Sequence, residues 1–288
     1  MSKRSKIILI SVYCAVALLL LSSVLFVVSG NTSVHVSNFT VKSEDLPAAF
    51  DGFRIVQVSD FHNEEFGKDN KSLLDKIRNA NPDIIAFTGD TLDSYEVNYE
   101  IALDFVSEAQ KIAPCYFVMG NHEGRLSGYD GFKKQIESLG VVVLDGTSCT
   151  IECDGEKITL YGLHDPESLK GEAYGYGEMG ILEKLLYELD YKDDGYGILL
   201  SHRPECFEYY VDYKFDLVLS GHAHGGQIRL PIIGAIYAPG QGFFPKYTSG
   251  MHTEDETTMI VSRGLGNSSI PFRFNNTPEL VVITLKNK

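Results

Sequence analysis

The chain has 288 residues, 44 % of them hydrophobic, which is enough to fill one large domain or two small ones and excludes a disordered chain. Its formal net charge of −14 argues against nucleic-acid binding, because proteins that bind a phosphate backbone usually carry a basic patch. A phosphorylated substrate would therefore need a separate cationic device, such as metal ions.

The first thirty residues predict a membrane anchor. Lys3, Arg4 and Lys6 precede an uncharged run, residues 7–29. At about 1.5 Å per residue, this run can cross a hydrocarbon core roughly 30 Å thick, and it is longer than the usual signal-peptide core of about 7 to 15 residues. The basic flank predicts a single-pass cell-membrane protein with a cytoplasmic N-terminus and the remainder outside, while cleavage after VVSG stays open.

A short polar linker, residues 31–43, is expected to lead into one domain, residues 44–288. There, apolar runs such as FRIVQVS, DIIAFTG and FDLVLSG alternate with segments of helical spacing such as NKSLLDKIRNA. This alternation predicts an α/β fold with largely parallel strands, and a hairpin around Asp154-Gly155 makes a mixed sheet the expectation. The cysteines are expected to be free, since their spacing supports neither a disulfide framework nor a thiolate metal site.

Five predicted strands end in Asp, Asn or His, often beside glycine. In an open α/β sheet the ligand crevice lies at the carboxyl ends of the strands, so these side chains are expected to converge on one rim. Five of the eight histidines of the chain belong to this set. The residues are Asp60, His62, Asp90, Asn121, His122, His202, His222 and His224.

The residue types predict the chemistry of this rim. Carboxylate, imidazole and amide groups without sulfur suit divalent manganese, iron, zinc, cobalt or nickel. The candidates exceed the roughly four ligands of a tetrahedral site, so two ions that share a carboxylate fit better. Such a pair polarises a phosphoryl oxygen and lowers the pKa of a bridging water.

The blocks DFH, GD, GNHE, a lone His after a strand, and GHAH, in this order, resemble the signature of the calcineurin-like metallophosphoesterase superfamily. The downstream stretches GHAHGGQIRLP, PKYTSGM, VSRGLG and PFRFNNTPEL resemble its membrane-anchored bacterial branch, which includes phosphodiesterases related to UDP-2,3-diacylglucosamine hydrolases. The resemblance covers about residues 46–285. It implies a four-layer α/β/β/α sandwich of two mixed sheets flanked by helices, here preceded by one transmembrane helix.

The resemblance also implies a role for each residue of the rim. One metal ion would be bound by Asp60, His62 and His224. The other would be bound by Asn121, His202 and His222, with Asp90 bridging the two. His122 would contact the phosphoryl group and protonate the leaving oxygen, which agrees with the suitability of histidine for general-acid work, and Glu123 is expected to orient a ligand or this acid.

Each of these residues has a structural alternative when taken alone. Asp90 and Asn121 suit ordinary turns, and His202 suits a strand-to-helix junction. For His164 and Asp165, lining the cleft or forming a turn both stay open, and Arg203 and Arg273 could contact substrate phosphate or lie on a solvated face. The apolar segment 231–247 could form a wall for a lipid tail, lie against a bilayer, or pack as a loop on its own domain.

The sequence thus predicts a membrane-anchored, dinuclear-metal phosphoesterase that hydrolyses phosphate mono- or diesters through a metal-bridging hydroxide. The expected metals are two divalent ions, manganese, zinc or iron. The expected partners are a phosphoester, with lipid-linked or cell-envelope esters among the candidates, and the bilayer through residues 7–29, but no nucleic acid. The alternatives are a glycolipid or nucleotide-sugar pyrophosphatase similar to UDP-2,3-diacylglucosamine hydrolase, and a tethered non-catalytic binding protein.

Overall fold

A computed structural model describes residues 3–169, 178–267 and 271–288, with side chains throughout these ranges except at residues 8, 19–29 and 178. The α-helices in these ranges are α1 (Lys3–Thr32), α2 (Lys71–Ala80), α3 (Tyr99–Gln110), α4 (Asn121–Arg125), α5 (Tyr129–Ser138), α6 (Glu178–Glu188) and α7 (Phe207–Asp212). The strands up to residue 200 are β1 (His35–Ser43), β2 (Arg54–Val58), β3 (Ile84–Thr88), β4 (Cys115–Val118), β5 (Val142–Val143), β6 (Thr147–Cys153), β7 (Glu156–Gly162) and β8 (Gly197–Leu200). The later strands are β9 (Leu217–Ser220), β10 (Arg229–Leu230), β11 (Gly234–Ala235), β12 (Tyr237–Ala238), β13 (Gly242–Phe243), β14 (Gly250–Glu254), β15 (Thr257–Val261) and β16 (Glu279–Asn287).

Two six-stranded sheets form the body of the domain, in the orders β1-β16-β2-β3-β4-β5 and β14-β15-β9-β8-β7-β6. Strands β2 to β5 are parallel in the first sheet, whereas β16 runs antiparallel to β2. In the second sheet β7, β8, β9 and β15 are parallel, and β6 and β14 close its edges in antiparallel pairs. Both sheets are therefore mixed, as predicted, and the β6–β7 hairpin turns at Asp154-Gly155.

Three apolar clusters hold the layers together. Alternate residues of a strand point to opposite faces, so in β2 Ile55 faces the other sheet while Val56 faces the helices. The cluster between the sheets joins Ile55 to Leu160 and Leu219 of the second sheet. Clusters on the outer faces pack α2, α3 and α5 on the first sheet, and α6 and α7 on the second. The layer order is therefore helix, sheet, sheet, helix.

The predicted localisation needs correction. Over the residues that the structure describes, no helix combines the length and hydropathy that crossing a bilayer requires. The predicted transmembrane helix over residues 7–29, and with it the extracytoplasmic placement of the domain, is therefore contradicted.

The predicted linker also differs from the structure. Residues 35–43 form β1, which pairs in parallel with β16 along its whole length, from His35 opposite Glu279 to Ser43 opposite Asn287. The first sheet therefore begins before residue 44. Its partner strand lies more than 240 residues away in the chain, so local sequence gave no indication of this pairing.

The apolar segment 231–247 packs on its own domain, which is one of the readings considered for it. It contains the small paired strands β11, β12 and β13, and Ala235, Ala238 and Tyr247 are buried against the domain. Its larger side chains Ile232 and Phe244 are exposed. The segment packs on its own domain through Ala235, Ala238 and Tyr247, and it leaves Ile232 and Phe244 exposed.

Candidate metal centre

The polar residues predicted to converge do so at the carboxyl ends of strands from both sheets. They follow β2, β3 and β4 of the first sheet and β8 and β9 of the second. All are buried, with exposed fractions between 0 % and 6 %. The set comprises Asp60, His62, Asp90, Asn121, His122, His202, His222 and His224.

Five of these residues adopt a backbone conformation that side chains rarely occupy. Asp60, His62, Asp90, His222 and His224 have φ between 47° and 63°, in the left-handed region. Each such backbone conformation costs of order 1–3 kcal/mol, and it persists only where the surrounding structure offsets this cost. Residues of this kind cluster at functional sites. This conformation turns the chain sharply after each strand, and the turn directs the side chains into one volume.

The first group of side chains contains Asp60, His62, Asp90 and His224, whose ligand atoms lie within 4.8 Å of one another. The Nε2 atoms of His62 and His224 are 3.2 Å apart. His224 Nε2 lies 3.3 Å from Asp60 Oδ1, and His62 Nε2 lies 3.7 Å from Asp90 Oδ2. Two imidazoles and two carboxylates therefore direct their donor atoms at one point.

The second group contains Asp90, His202 and His222, with Asn121 beside it. His202 Nε2 lies 3.0 Å from Asp90 Oδ2 and 3.2 Å from Asn121 Oδ1. The ring centroids of His202 and His222 are 4.9 Å apart. Asp90 belongs to both groups, and the same oxygen, Oδ2, faces each of them.

Burial decides the charge of most of the imidazoles. It lowers the pKa of His62 to about 4 and holds the pKa of His222 and His224 well below the usual value. Burial also opposes charge on His202, but the Asp90 carboxylate in contact with it raises the pKa of His202 to about 10. Neutral imidazoles present lone pairs, which is the form that binds metal ions.

This donor set fits divalent cations. It consists of imidazole nitrogens, carboxylate oxygens and one amide oxygen, all buried and directed at two adjoining points. His62 Nε2 and His224 Nε2 face each other, an arrangement that a cation between two lone pairs would stabilise. The dinuclear site expected from the sequence is thus consistent with the geometry, whereas the identity of the metal is not defined by it.

His122 lies beside these groups with a defined tautomer. Its Nδ1 accepts a hydrogen bond from the backbone N–H of Ser94 at 3.0 Å, so in the neutral ring Nε2 carries the proton. Its ring meets His62 edge-on at 4.5 Å between centroids. The ring of His122 therefore lies next to the first group.

Two neighbours of His122 escaped the sequence reasoning. Asp93 places its carboxylate between two histidines, 3.5 Å from His122 Nδ1 and 3.8 Å from His62 Nδ1. Ser94 supplies the donor that fixes the ring of His122. A signal for Asp93 was available, because it is a second carboxylate three residues after Asp90 in the same strand-end loop.

Glu123 binds the backbone around Asp90, in agreement with the orienting role expected for it. Its buried carboxylate accepts hydrogen bonds from the backbone N–H groups of Asp90 at 2.9 Å, Gly120 at 2.8 Å and Leu92 at 2.7 Å. Asp90 Oδ1 in turn accepts from the backbone N–H of His122 at 2.8 Å. The loops after β3 and β4 are therefore tied together around Asp90.

Arg203 and Arg273 lie on no solvated face, because both are buried. Arg203 Nη1 is 3.3 Å from His222 Nε2, and Arg273 Nη2 is 3.3 Å from His224 Nδ1. Each guanidinium group thus contacts one histidine of the GHAH block. These contacts depend on the tertiary fold and carry no local sequence signal.

Asp165 and His164 do not line the metal centre together. Asp165 is buried and forms a two-point ion pair with Arg203, at 2.6 Å and 2.8 Å. His164 lines a separate cavity of about 370 Å³ with Tyr129 and Asp145. Of the two alternatives left open by the sequence, lining the cleft is therefore not observed for either residue, although Asp165 pairs with Arg203, which contacts His222.

An open cavity of about 760 Å³ adjoins the centre at His62. Four carboxylates and one tyrosine line it, and the described lining residues include no lysine or arginine. We call it the acidic cavity. Its lining residues are His62, Asn63, Glu64, Glu65, Asp93, Tyr95, Glu96, Asn98, Ile101, Asn267 and Pro271.

Carboxylates and imidazoles meet in two adjoining groups at the strand ends of two mixed sheets. This arrangement is typical of metal-dependent hydrolases. The model of the calcineurin-like phosphoesterase family matches residues 53–226. The chain belongs to this family, and it is a metal-dependent phosphoric ester hydrolase rather than the non-catalytic binding protein considered above.

Relatives and solved structures agree with this assignment. The chain is 33 % identical over 258 residues to the uncharacterized metallophosphoesterase YkuE of Bacillus subtilis, covering 88 % of this chain and 86 % of the relative. It is 26 % identical over 207 residues to the phosphodiesterase YaeI of Escherichia coli, covering 71 % and 70 %. The structure of TT1561 from Thermus thermophilus shares the fold, with a TM-score of 0.52 at 14 % identity, covering 74 % of this chain and 90 % of that one. The superfamily prediction is confirmed, whereas the relationship to UDP-2,3-diacylglucosamine hydrolases stays a prediction.

Proposed function

We propose that the chain hydrolyses phosphate mono- or diesters at a centre that holds two divalent ions. Asp60, His62 and His224 would bind one ion, and Asn121, His202 and His222 the other, with Asp90 shared. When bound, the ions supply Lewis acidity for the phosphoryl group and lower the pKa of a water nucleophile. The catalytic domain would comprise residues 44–288 together with β1.

One observation carries this proposal. Asp90 Oδ2 lies 3.0 Å from His202 Nε2 and 3.7 Å from His62 Nε2, so a single carboxylate oxygen faces both groups of ligands. Its other oxygen is held by the backbone N–H of His122, which fixes the orientation of the carboxylate. A shared, oriented carboxylate is what two neighbouring ions require.

His122 would protonate the leaving oxygen. As the acid, the ring would be the imidazolium, with its Nδ1–H facing the Asp93 carboxylate at 3.5 Å and its Nε2–H given to the leaving oxygen. The neutral ring that remains has Nδ1 as the acceptor of the Ser94 backbone N–H. The ring lies edge-on to His62 and is 4 % exposed, so little water competes for this proton. The chain thus positions an acid beside the metal ligands without using it as a ligand.

His122→Ala separates these two roles. We expect the variant to retain its metal content and to lose about 10²–10⁴-fold in kcat on an alkyl phosphoester, because the acid is removed. The loss on bis-p-nitrophenyl phosphate should be smaller, because p-nitrophenolate leaves without a proton. Elemental analysis and kcat on both substrates measure this, with the exposed His35→Ala as control. Equal losses on both substrates, or loss of metal, would refute the role of His122 as an acid.

The acidic cavity disfavours the pyrophosphatase alternative. A nucleotide-sugar pyrophosphate carries a second anionic phosphoryl group, which the carboxylates of Glu64, Glu65 and Glu96 would repel. A panel of phosphomonoester, phosphodiester and pyrophosphate substrates, with manganese, zinc or iron supplied to the full chain, tests this directly. We expect ester hydrolysis to exceed pyrophosphate hydrolysis. Faster turnover of a lipid-linked or sugar pyrophosphate would reverse the order of the two proposals.

A further inference from the structure

The acidic cavity lies where the leaving group would be. His62 and Asp93 are shared between the cavity wall and the surroundings of His122. Tyr95, which also lines the cavity, meets the ring of His122 edge-on at 5.5 Å between centroids. If His122 protonates the leaving oxygen, the alcohol attached to that oxygen extends into this cavity.

The wall of the cavity is suited to a cation. The carboxylates of Glu64, Glu65 and Glu96 line the same cavity as Tyr95, which is 70 % exposed. Carboxylates attract an ammonium group by charge, and the face of a tyrosine attracts it through its quadrupole.

Independent evidence comes from polar atoms on the same wall that lack partners. His62 is 6 % exposed, and its Nδ1, which carries the proton when Nε2 binds a metal ion, has no hydrogen-bond partner and lies 3.8 Å from the Asp93 carboxylate. The buried side-chain oxygens of Asn63 and Asn267 also have none among the described residues. An amide oxygen only accepts hydrogen bonds, so these two atoms call for a ligand that donates N–H or O–H groups.

We propose that the acidic cavity binds a primary ammonium group on the alcohol of the phosphoester. This inference rests on the proposed function and gives its substrate class, an ester of an amino alcohol such as ethanolamine. Hydrolysis breaks the bond from phosphorus to the amino-alcohol oxygen, and a water oxygen takes its place on phosphorus. The leaving oxygen receives the proton of His122, and the free amino alcohol departs.

A matched pair of substrates tests the preference. Propyl phosphate has the shape of phosphoethanolamine, with a methyl group in place of the ammonium. We expect the full-length, metal-replete enzyme to show a kcat/KM about tenfold higher for phosphoethanolamine, and the same ratio for the two methyl diesters. The triple variant Glu64→Gln/Glu65→Gln/Glu96→Gln should bring the ratio near one. Glu137→Gln, an exposed substitution on α5, should leave both rates unchanged.

The same ammonium could come from a soluble diester or from a lipid headgroup. sn-Glycero-3-phosphoethanolamine and vesicles of phosphatidylethanolamine distinguish these sources, each compared with its phosphoglycerol counterpart. Preference for the ethanolamine ester from either source supports the inference. Equal rates for charged and neutral esters in every pair would overturn it.

Binding without turnover separates failure of this inference from failure of the proposed function. Saturation-transfer NMR with ethanolamine and 1-propanol reports on the cavity alone, and we expect ethanolamine to bind about tenfold more tightly. Ethanolamine that binds no better than propanol overturns the inference, even if esters are hydrolysed. Tight ethanolamine binding without hydrolysis of any phosphoester would support the cavity and refute the proposed function.

Discussion

At the scale of single residues, the centre depends on groups that orient the metal-binding side chains. Asp90 receives a hydrogen bond from the backbone N–H of His122, and Glu123 accepts the N–H of Asp90 itself. Each of these contacts is buried, where an unmatched donor costs about 1–3 kcal/mol. The position of the shared carboxylate is therefore set by its neighbours rather than by the ions alone.

Glu123→Gln tests this support. The carboxylate oxygens of Glu123 accept three backbone N–H groups, whereas the amide NH₂ of glutamine would face at least one of these donors. We expect a loss of about 1–3 kcal/mol in the free energy of unfolding and weaker metal binding. Urea denaturation and metal titration measure both, with exposed Glu137→Gln as control. Unchanged stability and metal affinity would show that the Glu123 contacts do not hold the centre.

The residues of the centre were predictable because their types and order carry the chemistry. Asp60, Asp90 and His222 each follow an apolar strand, and their spacing along the chain reflects that repetition. Arg203 and Arg273 were not predictable, because an arginine in isolation is usually solvated, and only the tertiary fold buries these two behind the histidines.

At the scale of elements, the two sheets must approach closely for their strand ends to share one site. Gly221 follows β9 of the second sheet and lies against Ser59 and Asp60, which follow β2 of the first. A Cβ atom at Gly221 would overlap Ser59 Oγ and Asp60 Oδ2. The absence of a side chain at this position is what allows the two halves of the site to meet.

Gly221→Ala should therefore force the sheets apart locally. We expect a destabilisation of about 1–3 kcal/mol, as is usual for overpacking, together with weaker metal binding. Gly131→Ala provides the matched control, because it lies in α5 with nothing within 4 Å of an added Cβ. This control should be neutral or more stable by up to about 1 kcal/mol, since alanine favours the helix. Thermal unfolding of both variants tests the contrast, and equal behaviour would contradict it.

The elements were predictable where their pattern is local. The parallel strands read as apolar runs and the helices as amphipathic ones, so the alternation of β2, α2 and β3 follows from sequence. Strand β1 was missed because its polar, half-exposed residues resemble a linker, and its pairing partner β16 is remote.

At the scale of the whole molecule, the site occupies the joint between two sheets, and no single half of the chain forms it. The first sheet contributes residues up to Asn121, and the second contributes His202, His222 and His224. The formal net charge of −14 means that an anionic ester approaches against the overall field. Cations at the centre would reverse this field locally, so binding of an anionic ester is expected to depend on bound metal ions.

At this scale too, some features could be predicted from the sequence and others could not. The family and the mixed sheets followed from residues that repeat in order, and the comparisons confirm them. The localisation does not follow, because the hydropathy of residues 7–29 predicts a membrane span that the described residues do not show.

Metal content and turnover of Asp90→Ala test the central claim most directly. Elemental analysis of the purified full chain would be paired with hydrolysis of bis-p-nitrophenyl phosphate, with exposed Asp104→Ala on α3 as control. We expect up to two divalent ions per wild-type or control chain, and loss of both metal binding and hydrolysis in Asp90→Ala, because the removed carboxylate faces both ligand groups. An Asp90→Ala protein that keeps its metal and its activity would contradict the shared-carboxylate centre.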